Sequence, residues 1–304
     1  MEFDLFKEEL RKQVETELGG DYEVSVREVT KNNGVILTGL MAQKRGNNVF
    51  PTLYINDLYR EDIEKGETVE IAMKLSRTLR EALIPPREIV DDLFDYEKVR
   101  DDIYIKLINT DKNRDLLKDI PHRAYLDLTV CYYFSLDNRI SAGTGEDCKA
   151  TVLIRNNFLE KWEIDEGILY EKALENMKRD CPDRLMTMKD ILKERFNTLM
   201  DDLDPEMYVL TNSANIFGAS ALLYSPSVKQ LSEDLKSDIY ILPSSIHELI
   251  LLPKNENTDA SGLLAIVSEV NSTEVMTEEI LSDSVYLYER DLDSVSLVLK
   301  KDEN

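Results

Sequence analysis

Histidine, cysteine, glycine and proline are all scarce in this chain. There are two histidines, His122 and His247, and three cysteines, Cys131, Cys148 and Cys181, in 304 residues. No cysteine pair has C-x-x-C spacing and the number is odd, which argues against a disulfide framework and a thiolate zinc site. Two distant histidines exclude a His-rich metal centre unless carboxylates complete it. With 11 glycines and 9 prolines, long low-complexity linkers are not expected. No apolar run approaches about 18 residues, so no membrane span and no membrane partner are expected. The opening "MEFDLFKEEL" lacks the basic and apolar regions of a signal peptide, and the expected location is cytoplasmic.

Positive charge is scarce too. Lys and Arg total 37 against 60 Asp and Glu, a net charge of −23. Direct binding to nucleic acid is not expected, because phosphate contact needs clustered bases. The imbalance is uneven, with −8 over residues 1–152 and −15 over 153–304. From Asp204 to Leu299 there are four bases, Lys229, Lys236, Lys254 and Arg290, against 16 acids. Such a surface keeps a protein soluble, and it also suits a basic protein partner or mimicry of nucleic acid.

What is present is a mixture of helical and strand patterns. Phe3, Phe6, Leu10, Val14 and Leu18 recur at three- and four-residue steps before Gly19-Gly20, which predicts a helix. Tyr22, Val24 and Val26 alternate with polar residues, and Asn33-Gly34 predicts a hairpin turn into a second strand. A third strand is expected over 49–55. A helix follows over 67–83, with Val69, Ala72, Met73, Leu75, Leu79 and Leu83 inward. Strands are expected at 103–109, 124–136, 148–154, 207–211 and 218–224, in "DIYIL" and "ELILL", and in a terminal pair. Helices are expected near 165–179, 186–201, 226–235 and 260–270, with Asp165 and Ser225 as caps. Tight turns between neighbouring strands favour an α+β fold of mostly antiparallel sheets with packed helices. Two domains are expected, 1–95 and a larger 96–304, joined within 84–102.

Four pieces, "PTLYINDLY", "MYVLTNSANIFGASALLY", "DIYILPSSIHELILLP" and "VNSTEVMTEEILSDSVYLY", resemble a Gram-positive bacterial family, domain-of-unknown-function family 5688. From Thr151 onward the order of elements is similar, more distantly, to the YtpQ-like proteins. The resemblance implies a self-contained bacterial protein and brings no activity, cofactor or catalytic residue.

"SAGTGED" has two glycines beside Glu146-Asp147, which would repel a phosphate, so no nucleotide cofactor is expected. "DDLDPE" (Asp201–Glu206) offers oxygen ligands but misses the EF-hand pattern, so no metal is expected. Cys131 shares a strand face with Thr129 and Tyr133, where it could be half-exposed, but no basic sequence neighbour activates it. Ser245-x-x-Glu248 matches a capping box, which makes "PSSIHE" a capped turn rather than a catalytic one. No catalytic residue is assigned. If the turn and the loop "LTNSANIFGAS" lie at one end of a sheet, Asn212, Asn215, Ser245 and His247 form the candidate ligand-binding site. The expected function is a non-enzymatic binding or regulatory protein with an acidic C-terminal surface and no cofactor. A hydrolase using the polar turns around Asn212 and His247, or an acidic inhibitor or nucleic-acid mimic, are the alternatives.

Overall fold

A computed structural model of the chain describes residues 2–45, 52–59, 68–81, 91–136, 151–196, 207–256 and 258–301. The fold is α+β, with helices packed on three antiparallel sheets. The chain divides into two compact units: Met1–Lys98 with Leu136–Ala150, and Val99–Ser135 with Thr151–Asn304. No helix among the described residues is long and apolar enough to cross a membrane.

The first unit opens with α1 (Phe3–Leu18), which buries Phe6, Leu10, Val14 and Leu18 of the stripe its sequence predicts and leaves Phe3 half-buried. It ends at Gly19, whose φ of 82° suits a residue without a Cβ. Strands β1 (Tyr22–Thr30) and β2 (Ile36–Lys44) pair from Tyr22↔Lys44 to Thr30↔Ile36, and β3 (Thr52–Tyr54) adds to β2. The hairpin turn is a short 3₁₀ segment, Asn32–Gly34, in which Asn33 and Gly34 take positive φ. Helix α2 (Thr68–Glu81) lies close to the expected span but faces differently. It buries Ile71, Ala72, Leu75 and Leu79, while Val69 and Met73 are 56% and 53% exposed. The apolar stripe is wider than the contact it makes, so its flank is left in water. Leu83 lies outside the described residues. The core joins α1 and α2 to Val24, Leu40, Ala42 and Ile55.

The second unit holds two sheets. In the smaller, β4 (Ile103–Asn109) and β5 (His122–Tyr125) flank β6 (Leu128–Ser135), and β7 (Thr151–Leu153) pairs with the far end of β6. The expected single strand over 124–136 breaks at Leu126, whose φ of 55° turns the chain from β5 into β6. Helices α3 (Asn156–Trp162) and α4 (Glu166–Asp180) follow, and Asp165 caps α4 by accepting from the Ile168 amide. Buried Asn176 on α4 donates to the carbonyls of Arg100 (2.7 Å) and Ile103 (2.9 Å), which fixes the helix on the β4 edge.

The larger sheet is built from β8 (Asp183–Thr187), β9 (Tyr208–Asn212), β10 (Ile239–Leu242), β11 (Leu249–Pro253), β12 (Ser284–Glu289) and β13 (Ser294–Lys300). Its order is β13-β12-β10-β11-β9-β8. The helix expected over 186–201 begins only at Met188, as α5 (Met188–Phe196), because Met186 and Thr187 are paired in β8. The expected strand at 218–224 is a 3₁₀ helix, Gly218–Leu223. Pro226 is the cap residue of α6 (Ser227–Leu235) rather than its first helical residue, and Ser225 Oγ accepts from the Ser227 amide at 3.0 Å. Helix α7 (Ala260–Thr273), capped by Asp259, buries Leu263 and Val267 against Val285 and Leu287.

One carboxylate fastens the turn between β5 and β6 to β12. The hydroxyls of Ser282 (2.6 Å), Ser284 (2.8 Å) and Tyr286 all point at Asp127, and the Asp127 carbonyl accepts from the Thr110 amide at 3.2 Å. Burial and the adjacent Asp127 charge push the Tyr286 phenol well above its ordinary range, so it stays a donor. Asp127→Ala would leave buried hydroxyls without their acceptor, which costs about 3 kcal/mol or more of stability. Urea unfolding of the variant measures this loss. A change within about 0.5 kcal/mol would show that the three hydroxyls find other partners.

Candidate functional site

The sheet order places the two polar segments at one end. Strand β9 runs beside β11 with Leu210 opposite Leu249, so continuing the register sets Asn212 next to His247. The turn Pro243–Glu248 enters β11 from β10, and the loop Ser213–Phe217 leaves β9 at the same end. A third segment, Met276–Ser282, laces onto the turn. The Ile246 amide donates to Glu279 O at 2.9 Å, Leu281 to Ser244 O at 3.1 Å, and Ser282 to Pro243 O at 2.8 Å.

His247 is engaged on both ring nitrogens. Nδ1 accepts from the Phe217 amide at 3.2 Å, and Nε2 lies 3.6 Å from Glu279 Oε1. Accepting at Nδ1 places the proton of the neutral ring on Nε2, on the Glu279 side. The imidazole stacks on Phe217 with centroids 5.6 Å apart and planes 12° apart. Phe217 meets the edge of Tyr133 at 5.0 Å, and Lys106 Nζ stands 5.0 Å from its ring centroid. The backbone is bound as well, since His247 O accepts from Thr211 Oγ1 at 2.9 Å.

The expected capping box does not form. Ser245 Oγ accepts from the His247 amide, two residues on, at 3.1 Å. Strand β11 starts at Leu249, so no helix follows whose amides could use a cap, and the serine closes a local turn instead. Asn212 is fully buried. Its Nδ2 donates to Ile216 O at 2.9 Å, and its buried Oδ1 has no hydrogen-bond partner among the described residues. Asn215 is exposed and takes φ 53°, its amide donating to Asn212 O at 3.1 Å. All four predicted residues therefore lie at one end of the sheet, with Asn212 inside the wall and the other three toward solvent.

Sequence reasoning missed four residues that complete the arrangement: Thr211, Phe217, Gly218 and Glu279. A Cβ built on Gly218 would fall under 3.0 Å from Thr211 Oγ1, His247 O and the Asn212 amide, so only glycine lets the two segments touch. A lone glycine after a strand is a readable sign of close backbone approach. Glu279 stands 32 positions from His247 and carries no local signal.

Chemically, the arrangement is a junction. Among the described residues no hydroxyl or thiol is bonded to the His247 ring, and the lone pair a general base would use is taken by an amide. Cys131 is fully buried, not half-exposed, under Ile108, Leu117 and Ile120. Burial pushes the Cys131 and Cys181 thiols up to about 11 each, which disfavours the reactive thiolate. Cys148 and the acids Asp201–Glu206 lie outside the described residues. Among the described residues no group of three or more His, Cys, Asp and Glu could hold a metal.

A profile of a family of unknown function, DUF5688, matches residues 3–290. The chain belongs to this family. No curated protein and no solved structure matches it.

Two outcomes follow from this packing. Gly218→Ala should cost about 3 kcal/mol or more in urea unfolding, since rigid backbone must move. An unchanged midpoint would contradict the close approach. At pH 8 a disulfide reagent should modify at most one thiol per native chain, and all three after unfolding. Fast reaction of two or more native thiols would contradict the burial of Cys131 and Cys181.

Proposed function

We propose that the chain is a non-enzymatic binding or regulatory protein of the cytoplasm whose acidic C-terminal surface takes a basic protein. The observation that carries this reading is the fate of the few bases in that segment. Lys229 pairs with Asp293, Lys254 with Asp238 at 3.2 Å, and Arg290 lies 3.6 Å from Asp291. Three of the four bases between Asp204 and Leu299 are thus held by acids of the same segment. Glu233, Glu256, Glu269 and Glu274 are meanwhile exposed. The exposed acids of this segment thus outnumber its unpaired bases, and a surface of that charge attracts cationic partners while repelling nucleic acid.

The stitched turn borders the surface in this reading. Exposed Asn215 and half-exposed Ser245 and His247 supply polar contacts at the rim, and Asn212 holds the loop from within. The hydrolase reading loses its base to the Phe217 amide.

The test is a matched pair of variants. Glu233, Glu256, Glu269 and Glu274 are changed to Lys in one, and exposed Glu8, Glu9, Glu17 and Glu28 in the other. Affinity for a lysine-rich peptide is measured by calorimetry at low salt. The first variant should bind about tenfold or more weaker than the second. Equal losses would show that total charge, not this surface, governs binding.

A further inference from the structure

We propose that the groove between α1 and α2 of the first unit binds a free α-amino acid with an apolar side chain. The groove encloses about 190 Å³. It is lined by Lys12, Gln13, Thr16 and Glu17 of α1 and by Val69 and Ala72 of α2. At about 30 Å³ for each water, this is room for roughly six waters, a space for a small metabolite. The α2 wall is apolar, with Ala72 buried and Val69 exposed, so an apolar body in the groove would cover Val69.

The α1 wall carries charge that the helix does not use. Elsewhere on α1, Lys7 pairs with Asp4, and Arg11 with Glu8 and Glu15. The side chains of Lys12 and Glu17 make no ion pair among the described residues. Between them lies an unfilled acceptor. Gln13 Nε2 donates to Glu9 Oε1 at 3.3 Å, and Gln13 Oε1 is buried with no hydrogen-bond partner among the described residues. A buried carbonyl oxygen without a donor is costly, and an N–H of a ligand would relieve it.

The charges choose the occupant. A simple amine would meet the Lys12 ammonium, and a simple acid the Glu17 carboxylate. A neutral apolar molecule would leave both charges and the Gln13 carbonyl as they are. A zwitterion answers all three, with its carboxylate on Lys12 and its ammonium on Glu17 and Gln13 Oε1. Its side chain then lies on Val69 and Ala72. Lys12 and Glu17 stand five positions apart, about 7.5 Å along the helix, a span their long side chains can close onto one small molecule. Both charges are exposed, so affinity should be modest. The site belongs to the first unit and does not rest on the acidic C-terminal surface.

Amide NMR titrations of the full chain test this, with L-leucine, with 3-methylbutylamine, which lacks the carboxylate, and with 4-methylpentanoate, which lacks the amine. Leucine should shift the amides of residues 12–17 and 69–72 saturably, with a Kd on the order of 1 mM. Each analogue should bind about fivefold or more weakly than leucine. Lys12→Gln and Glu17→Gln should each weaken leucine about two- to fivefold. Lys12→Gln should not weaken the amine, and Glu17→Gln should not weaken the acid. No saturable shift at these residues up to ~20 mM leucine overturns the proposal. So does an analogue that binds as well as leucine, or leucine binding that neither substitution weakens.

Discussion

The structure of the second unit depends on one carboxylate meeting three hydroxyls. Asp127 sits in the turn that Leu126 forces with its positive φ, and Ser282, Ser284 and Tyr286 reach it from the start of β12. Charge-assisted hydrogen bonds of this kind are about twice as strong as neutral ones, and buried hydroxyls are costly to orphan. Beside it, Asn109 Nδ2 donates to Leu281 O at 3.0 Å, a second tie from the small sheet to the same segment. Two sheets that share no strand pairing are thus held in one arrangement through residues 281–286.

That segment continues into the candidate site. The Ser282 amide binds Pro243 O, and its side chain binds Asp127, so one residue links the turn before β11 to the turn before β6. Upstream, Glu279 receives the Ile246 amide on its carbonyl and faces His247 with its carboxylate. Gly218 allows the last approach, of the 3₁₀ segment onto His247 O. His247 is therefore one rivet in a run of contacts. Its ring and backbone are spent on holding chain segments together.

Much of this fold is legible in the sequence, and the parts that are not have physical reasons. The stripe of α1, the Asn33-Gly34 turn and the Asp165 cap depend on near neighbours, and each forms where the pattern puts it. The facing of α2 is set by tertiary contact, and periodicity alone could not tell that Met73 would be left in water. "GASALLY" has the composition of a strand, yet Gly218 and the bonds to Ile246 and Phe217 wind it into a 3₁₀ helix. Ser245 and Glu248 have capping-box spacing without a helix to cap. For the site, strand order brings Asn212 and His247 to one end of the sheet, a juxtaposition that the sequence could pose only as a condition. Glu279 and Asp127 were hidden, because their partners lie 32 and more than 150 positions away.

The central claim is that this end of the sheet is a rigid clamp and not a mobile functional loop. Native-state hydrogen exchange tests it most directly, since loops that move for function open at low free energy. The Phe217, Ile246, Leu281 and Ser282 amides, which donate to His247, Glu279, Ser244 and Pro243, are the reporters. The account predicts that all four exchange only through the opening that exposes β6 and β12. Exchange of these amides through a separate, low-energy opening, with β6 and β12 still protected, would contradict it.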